Sequence, residues 1–518
     1  MNITPDAATL PGRGARQRRG ANHPQLEAYP LSDALQTCPR CHSEGVRVTP
    51  TYYGGPLCGP CGDADVEAFE RDGWPSAWWE APACPYVGVL GRDGLVTHDW
   101  LVHRDFATLG ELGAELERHG LRQVWVHEGA LERLKARPGW PLGWLEGGGF
   151  VTRSSSPVLS GFSKWWRPGG FGFSLHIPAL ENDSAFAGAP GAYELLCDIA
   201  WYEHATRGTL PWRGGGTITS DAWLRETYRS RRRKVELAVT EHPMPVLNGA
   251  AREARWYWSR PPIGPERNMR YCHALDLNLA YAAVAGSLPL PSGGVVHTEL
   301  PTFDKRKPGI WLIEPEEWSD PYLPAPWQDD HRRHREGPHW VTTPTMERCD
   351  QLGLWPIESY TWPESHAFMR PWYEQVKHAR AELFSVGGAP LAAIKQVSRR
   401  GVGRLASRTR SKPPETDELY QPYWTWAIIA ETRARLHRRM SALAELRGPR
   451  IAPVAMDTDC IYFLSSRPSP EILAIRLGLP LGNGLGEFKV AGSCAGAEAR
   501  EVLEGSGSVA ALRKLVHA

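Results

Sequence analysis

Pro453-Val454-Ala455-Met456-Asp457-Thr458-Asp459-Cys460-Ile461-Tyr462-Phe463 is the stretch on which the fold turns. Apolar residues lead in and out of two aspartates, so the pattern predicts two buried strands joined by an Asp-Thr-Asp tip. Asp is common in turns, and an Asp-x-Asp taken alone carries little. Its setting makes this one informative. A hairpin of apolar strands has no structural use for two adjacent carboxylates, whereas divalent cations bound there would neutralise them. A pair of such ions can activate a hydroxyl, hold a triphosphate and stabilise a phosphoryl-transfer transition state. Magnesium suits that work, since it takes oxygen ligands and keeps positions for water and phosphate.

Two upstream stretches have matching character. Tyr271-Cys272-His273-Ala274-Leu275-Asp276 predicts a strand ending in a third carboxylate, and Leu277 to Val284 predicts a turn into a helix. Leu391 to Gly403 predicts a helix entering a Gly401-Val402-Gly403 turn, with Lys395 and Arg399 at i, i+4 spacing and Arg400 beside them. Such a face suits a triphosphate, and a solvated amphipathic face gives the same pattern. Ile428, Thr432, Leu436 and Met440 predict a long helix from Asp417 to Arg447, stopped by Gly448-Pro449.

Taken together and in this order, the segments resemble family B DNA polymerases. Asp276-Leu277-Asn278-Leu279-Ala280-Tyr281 is similar to motif A, D-x-x-S-L-Y-P. Lys395 to Gly403 is similar to motif B, K-x3-N-S-x-Y-G, with Arg399, Arg400 and Val402 in place of its Asn, Ser and Tyr. Met456-Asp457-Thr458-Asp459-Cys460 is similar to motif C, Y-x-D-T-D-S, and Leu485-Gly486-Glu487-Phe488-Lys489 to the L-G-x-[FW]-K segment that follows it. The resemblance covers about residues 265 to 495. It implies Asp276, Asp457 and Asp459 as ligands of two Mg2+ (or Mn2+) ions and Tyr281 as a steric gate against the 2′-hydroxyl. It also implies Lys395 and Arg399 on the face that meets the triphosphate, Arg380 as a second phosphate contact and Lys489 at the primer terminus. The implied partners are a primed DNA template, dNTPs and an accessory or priming protein. The implied activity is templated DNA synthesis without proofreading, of the kind carried by phages, plasmids and other mobile elements. A non-catalytic nucleic-acid-binding protein on the same scaffold, and a primase-polymerase that starts chains unprimed, stay open on these residues.

Further from the motifs, the chain of 518 residues is long enough for two to four domains. The expected fold is α/β and α+β multidomain, with a basic Gly-rich leader at residues 1–35 and a zinc ribbon at 36–70. An RNase H-like, exonuclease-like domain follows at 85–265, then palm and fingers at 266–465 and a reduced thumb at 466–518. Cys38-Pro39-Arg40-Cys41 and Cys58-Gly59-Pro60-Cys61 are two CxxC knuckles sixteen residues apart. Four thiolates make a closed tetrahedral Zn2+ shell, which is structural and not catalytic. Tyr52-Tyr53-Gly54-Gly55 predicts the hairpin tip between them.

From Tyr86 onward, Tyr86 to Leu90 and Val124 to His127 predict strands flanking a helix over Phe106 to His119. Gly91-Arg92-Asp93-Gly94 stands where an exonuclease carries D-x-E, and Val124 to Ala130 lacks the second motif's Asp. Glu194 and Asp198 do not restore a metal site, so this domain is expected to be inactive. Ser220-Asp221-Ala222 predicts a helix start, and Arg229 to Lys234 a basic end able to lie along phosphates. Residues 321 to 340, rich in Pro, His and Asp, predict a surface loop, and the histidines and aspartates of Gln328 to His334 within it match no ligand spacing.

The formal net charge of +1 gives no whole-molecule attraction for a polyanion, so any such attraction must be local. Ten cysteines, only four of them in tight pairs, fit a reducing compartment, and a cytoplasmic location is expected. No apolar run approaches the ~18 residues of a membrane helix. Most of the 23 tryptophans are expected in cores.

Overall fold

The structure is a computed structural model that describes residues 48–50, 56–58, 81–98, 101–102, 104–145, 149–152, 160–168, 170–181, 184–229, 239–253, 255–328, 337–408, 413–447 and 452–517. The chain divides into two compact units, Met1–Pro75 and Ser76–Ala518. In the first, strand β1 (Val48–Pro50) pairs antiparallel with β2 (Pro56–Cys58), in the register Val48↔Cys58. The expected tip, Tyr52-Tyr53-Gly54-Gly55, falls between these two strands and lies outside the described residues. Cys58 ends β2, while Cys38, Cys41, Cys61 and the 1–35 leader lie outside the described residues.

The second unit begins with a seven-stranded sheet. Its strands are β3 (Val87–Gly91), β4 (Gly94–Val96), β5 (Leu101–Val102), β6 (Gln123–Val126), β7 (Val151–Thr152), β8 (Phe162–Trp166) and β9 (Gly172–His176), in the order β5-β4-β3-β6-β9-β8-β7. β3 to β5 form an antiparallel meander, and β6 lies parallel to both β3 and β9. Side chains alternate along a strand, and the two faces feed two cores. Leu90, Val124 and Val126 pack with Leu109, Leu112 and Leu116 of the helix Leu109–Arg118. Val87, Val89 and Trp125 pack on Leu195 and Ile199 of the helix Ala192–Ala205, in a core that runs on through Trp223, Trp372 and Trp424. One hydrophobic core therefore crosses the boundary expected at 265.

Next, β10 (Tyr257–Ser259) and β11 (Tyr271–Leu277) enter a second sheet. An insertion follows. β12 (Leu290–Pro291) pairs with a distant short strand, and β13 (Val296–Glu299), β14 (Gly309–Ile313), β15 (His339–Thr342) and β16 (Glu358–Thr361) form a four-stranded sheet in the order β13-β16-β14-β15. β17 (Ser365–His366) is the partner of β12. After three helices, Arg370–Leu383, Gly388–Leu405 and Pro422–Arg447, the chain returns with β18 (Ala455–Asp457), β19 (Cys460–Ser465) and β20 (Phe488–Ala495). The second sheet is then complete, in the order β10-β18-β19-β11-β20.

One face of this sheet (Leu275, Met456, Ile461, Phe463) packs on Leu436, Met440 and Leu443 of the long helix. The other (Cys272, Ala274, Tyr462, Leu464) is covered by the last two helices, Gly496–Glu504 and Val509–Val516. The segment 466–518 thus divides between the sheet itself, through β20, and helices lying against it.

Three local expectations need correction. The long helix begins at Pro422, not Asp417, because the buried Asp417 carboxylate is taken by Arg225 (2.8 Å) and by the amide of Leu419 (3.1 Å). Gly401 and Gly403 lie inside a helix and make no turn; a Cβ on Gly401 would run into Ser220, so the glycine permits close helix packing. The helix expected to start at Ser220 starts at Gly216, and Thr219 Oγ1 accepts from the amide of Arg213 (2.9 Å). Residues 230–234, most of the expected basic run, and 329–336, the middle of the loop expected at 321–340, lie outside the described residues; at the loop's far end His339 and Trp340 already belong to strand β15, paired with β14. Trp125, Trp212, Trp256, Trp311, Trp362, Trp372 and Trp424 are fully buried, as expected for core residues.

Candidate active site

The hairpin that opened the sequence reading forms as expected. β18 and β19 pair with Asp457 opposite Cys460, leaving Thr458 and Asp459 as the two-residue tip. Thr458 adopts φ 65°, a left-handed conformation unusual for a β-branched residue, and its amide donates to the carbonyl of Trp256 (2.7 Å). Backbone strain of this kind collects at functional sites.

Register brings the carboxylates together. Asp457 lies opposite both Tyr257 and Cys460, Cys460 opposite Asp276, and Asp276 opposite Lys489. Residues directly opposite one another share a face, so Tyr257, Asp457, Cys460, Asp276 and Lys489 form one row across all five strands. Asp459 precedes Cys460 at the hairpin tip, beside that row, and its carbonyl accepts from the amide of Leu277 (3.3 Å).

Charge is crowded here. Asp459 has its carboxyl pushed up to about 7, first by burial and then by the nearby charges of Asp276 and Asp457, against an opposing pull from Lys489. Lys489 Nζ lies 2.7 Å from Asp276 Oδ2, and Arg513 Nη1 donates to Asp457 Oδ2 at 2.9 Å. Among the described residues no group of three or more His, Cys, Asp or Glu side chains is already disposed to hold a metal ion. The donor set nonetheless fits one. Three carboxylates offer only oxygen ligands, which hard divalent cations such as Mg2+ and Mn2+ prefer, and such a cation would relieve the repulsion that lifts Asp459.

These residues line a cavity of about 1560 Å3. The helix Gly388–Leu405 contributes Lys395 and Arg399 to the same lining, both exposed and one turn apart. Burial, with Arg380 and Lys489 nearby, pulls the Lys395 ammonium below its ordinary value. Arg380 is only 4% exposed, and its guanidinium reaches Asn278 Oδ1 (3.2 Å) and the carbonyl of Asn483 (3.3 Å). Its Nη1 is buried with no partner among the described residues, and Arg380 belongs to the lining of the cavity. Asn278 in turn donates to the carbonyl of Gly482 (2.8 Å), which ties the turn after β11 to the loop before β20. That turn, with Leu279 at φ 45°, launches the helix Ala280–Ala285 and brings Tyr281 to the cavity. Burial, followed by the charge of Asp459, raises the Tyr281 hydroxyl well above its ordinary value.

Every residue that the sequence nominated in this half of the chain (Asp276, Asp457, Asp459, Tyr281, Lys395, Arg380, Arg399, Lys489) therefore lines one cavity. The sequence reading missed Arg513 and Tyr257. Arg513 sits in an ordinary amphipathic helix with no motif around it, and Tyr257 joins the row only through strand pairing across some 200 residues of chain. It also missed Arg252, Arg255 and Arg408, which make the cavity wall basic although the net charge is only +1.

The carboxylates of the first sheet are placed differently. β3 carries no acidic residue, and Asp93 sits in the turn after it. Glu128 opens a helix and accepts from the amide of Gly188 (3.2 Å). Glu194 and Asp198 lie on the helix Ala192–Ala205, where Asp198 is buried.

No sequence-family profile matches the chain, and no curated protein matches it. Among solved structures it is similar to "Phi29 DNA polymerase complexed with primer-template DNA (post-translocation binary complex)", at 13% identity and a TM-score of 0.44, over 80% of this chain and 84% of that one. It is also similar to the ternary complex of the same polymerase with primer-template DNA and incoming nucleotide substrates, at 12% identity and a TM-score of 0.44, over 75% and 78%. An orthorhombic crystal form of Phi29 DNA polymerase gives 13% identity and a TM-score of 0.40 over the same shares. Among the described residues no helix is long and apolar enough to cross a membrane.

Proposed function

We propose that the chain is a template-directed DNA polymerase of the family B type, adding dNMPs to a 3′-hydroxyl at the Asp276–Asp457–Asp459 centre. The observation that carries this reading is the convergence of three carboxylates from two separate segments on the floor of one basic-walled cavity. A binding scaffold would have no use for carboxylates where a polyanion must approach, since they repel it. A phosphoryl-transfer enzyme needs them to hold Mg2+ or Mn2+, which when bound supplies charge neutralisation at the transferring phosphoryl group and lowers the pKa of the attacking hydroxyl.

The remaining roles belong to the chain's own residues. Lys395 and the unpartnered nitrogen of Arg380 bind the triphosphate from the side opposite the carboxylates, with Arg399 extending the same face. Tyr281 closes the pocket under the sugar and excludes a 2′-hydroxyl. Lys489, beside Asp276, meets the backbone of the primer terminus. The basic wall formed by Arg252, Arg255 and Arg408 tracks the template phosphates.

The order β5-β4-β3-β6-β9, an antiparallel meander followed by two parallel strands, supports an RNase H-like fold for the first sheet. Its acid-free first strand supports an absence of proofreading. The four-cysteine spacing and the hairpin between the knuckles support a structural zinc ribbon at the N-terminus.

Extension of a labelled primer on a DNA template, with Mg2+ or Mn2+ and all four dNTPs, tests this. Metal-dependent extension that stops on EDTA addition is expected, and an unprimed control separates priming from elongation. Folded, zinc-loaded protein that extends no primer under either metal would exclude the reading.

A further inference from the structure

The last helix, Val509–Val516, reaches the carboxylate row from the end of the chain, and its approach is fixed at several points. Ser259 Oγ donates to the carbonyl of Gly507 (2.6 Å), and the amide of Ala510 donates to the Tyr257 hydroxyl (2.6 Å). Val509, Leu512 and Val516 are buried against the sheet. Gly492 on β20 allows the helix to come close, since a Cβ there would overlap the backbone of Val516. Tyr257 is the neighbour of Asp457 in the row, so the contact at Ala510 anchors the helix beside that carboxylate. One turn on, Arg513 donates Nη1 to Asp457 Oδ2 at 2.9 Å. The Arg513 side chain is 53% exposed and that of Asp457 7%.

We propose that Arg513 is a positioning residue of the candidate site: it holds Asp457 in the row as its counter-ion and competes with the divalent cation for that carboxylate, so the C-terminal helix sets the metal concentration at which the site fills. The proposal rests on the polymerase reading for the use to which the metal is put. Its physical basis is narrower. A guanidinium at hydrogen-bond distance occupies Oδ2 and places a positive charge where a cation must approach. Lys489 stands in the same relation to Asp276 but belongs to the sheet. Arg513 is half-exposed on a separate element, so its side chain can swing into solvent without disturbing a strand.

The test is Mn2+ binding to the full-length, zinc-loaded protein, read as free Mn2+ by electron paramagnetic resonance. Wild type is compared with Arg513→Gln, Arg513→Lys and Asp457→Asn, and with Arg513→Gln in the Asp457→Asn background. Arg513→Gln is expected to bind Mn2+ about 3-fold more tightly, on the scale of a partly exposed ion pair. Arg513→Lys should stay near wild type, and Arg513→Gln should change nothing once Asp457 is neutral. Unchanged or weaker binding by Arg513→Gln, with a melting temperature equal to that of wild type, overturns the proposal. An equal gain in the Asp457→Asn background overturns it as well. Primer extension measured on the same preparations keeps the two claims apart. Wild type that binds Mn2+ with the expected Arg513 dependence yet never extends a primer removes the polymerase reading and supports the counter-ion role.

Discussion

The two large sheets of the second unit both carry buried acidic residues nearby, and they treat them in opposite ways. Around the first sheet the perturbed carboxyls are solitary. Glu181 accepts from Trp212 Nε1 (2.9 Å), and Glu203 from the Tyr86 hydroxyl (3.3 Å) and Gln123 Nε2 (3.5 Å). Burial is the main cause of the rise in each, and neutral donors pull both back. At the second sheet Asp459 is raised by burial and then by two other carboxylates, with Lys489 and Arg513 standing among the acids. A solitary buried carboxyl held by neutral donors does structural work. Carboxylates that crowd one another are costly unless something positive joins them, which is the arrangement the proposed cation-binding centre requires.

The sharpest way to break this contrast is mutation on both sides of it. Asp459→Asn is expected to cut templated incorporation by about 10²–10³-fold, the scale of losing one preorganised charge-stabilising group. Glu203→Gln should leave it unchanged, and single-turnover extension reads both. A large loss from Glu203→Gln would erase the distinction.

Stability should show a second contrast. Arg433 and Glu253 form a buried pair (3.2 Å), with side chains 2% and 4% exposed, and Glu253 also accepts from the amide and hydroxyl of Thr342 and the hydroxyl of Thr345 (2.7 Å each). Removing one partner strands a buried charge, so Arg433→Ala is expected to cost about 3–5 kcal/mol. Arg167→Ala, which breaks an exposed pair with Glu117 in the first sheet region, should cost less than about 1 kcal/mol. Thermal unfolding of both variants checks the ranking.

Selectivity should change with Tyr281. Tyr281→Ala is expected to lower discrimination against ribonucleotides by about 10-fold or more while deoxynucleotide addition persists. Competition between dNTP and rNTP on one template measures it.

The smallest effect concerns pH. Asp459 has a folded value of about 7 against an ordinary 3.8, so the folded state holds the extra proton. Its contribution to stability is full below the unfolded value and is lost as pH rises through the folded one. In EDTA, Asp459→Asn should therefore melt a few degrees above wild type at pH 8, with the gap shrinking steadily towards pH 5. A gap that is constant with pH would place the carboxyl outside the crowded cluster.

Much of the site could be read from the sequence because its chemistry is local in the chain. Asp457 and Asp459 flank one turn, Asp276 ends one strand, and Lys395 and Arg399 share one helix face. What the sequence hid is set by pairing between distant segments. Tyr257 enters the row only because β10 pairs with β18, and Arg513 only because the last helix docks on the back of Cys272, Ala274 and Tyr462. The glycines misread as a turn at 401–403 fail for a related reason. Glycine marks a turn when backbone freedom is needed, but at Gly401 it marks the close approach of a second helix, which only the partner reveals. Likewise Trp223 and Trp372 join one core across residue 265, and β20 completes a sheet begun at β10, contacts that only the fold reveals.

On the proposed function, the Asp276–Asp457–Asp459 centre directs nucleotide addition under instruction from a template. Single-nucleotide incorporation on four primed DNA templates, differing only in the first unpaired base, tests it most directly. Only the complementary dNTP is expected to be added on each template, in the presence of Mg2+ or Mn2+, and Asp276→Asn is expected to add none. Addition that ignores the template base, or that survives in Asp276→Asn, would contradict it.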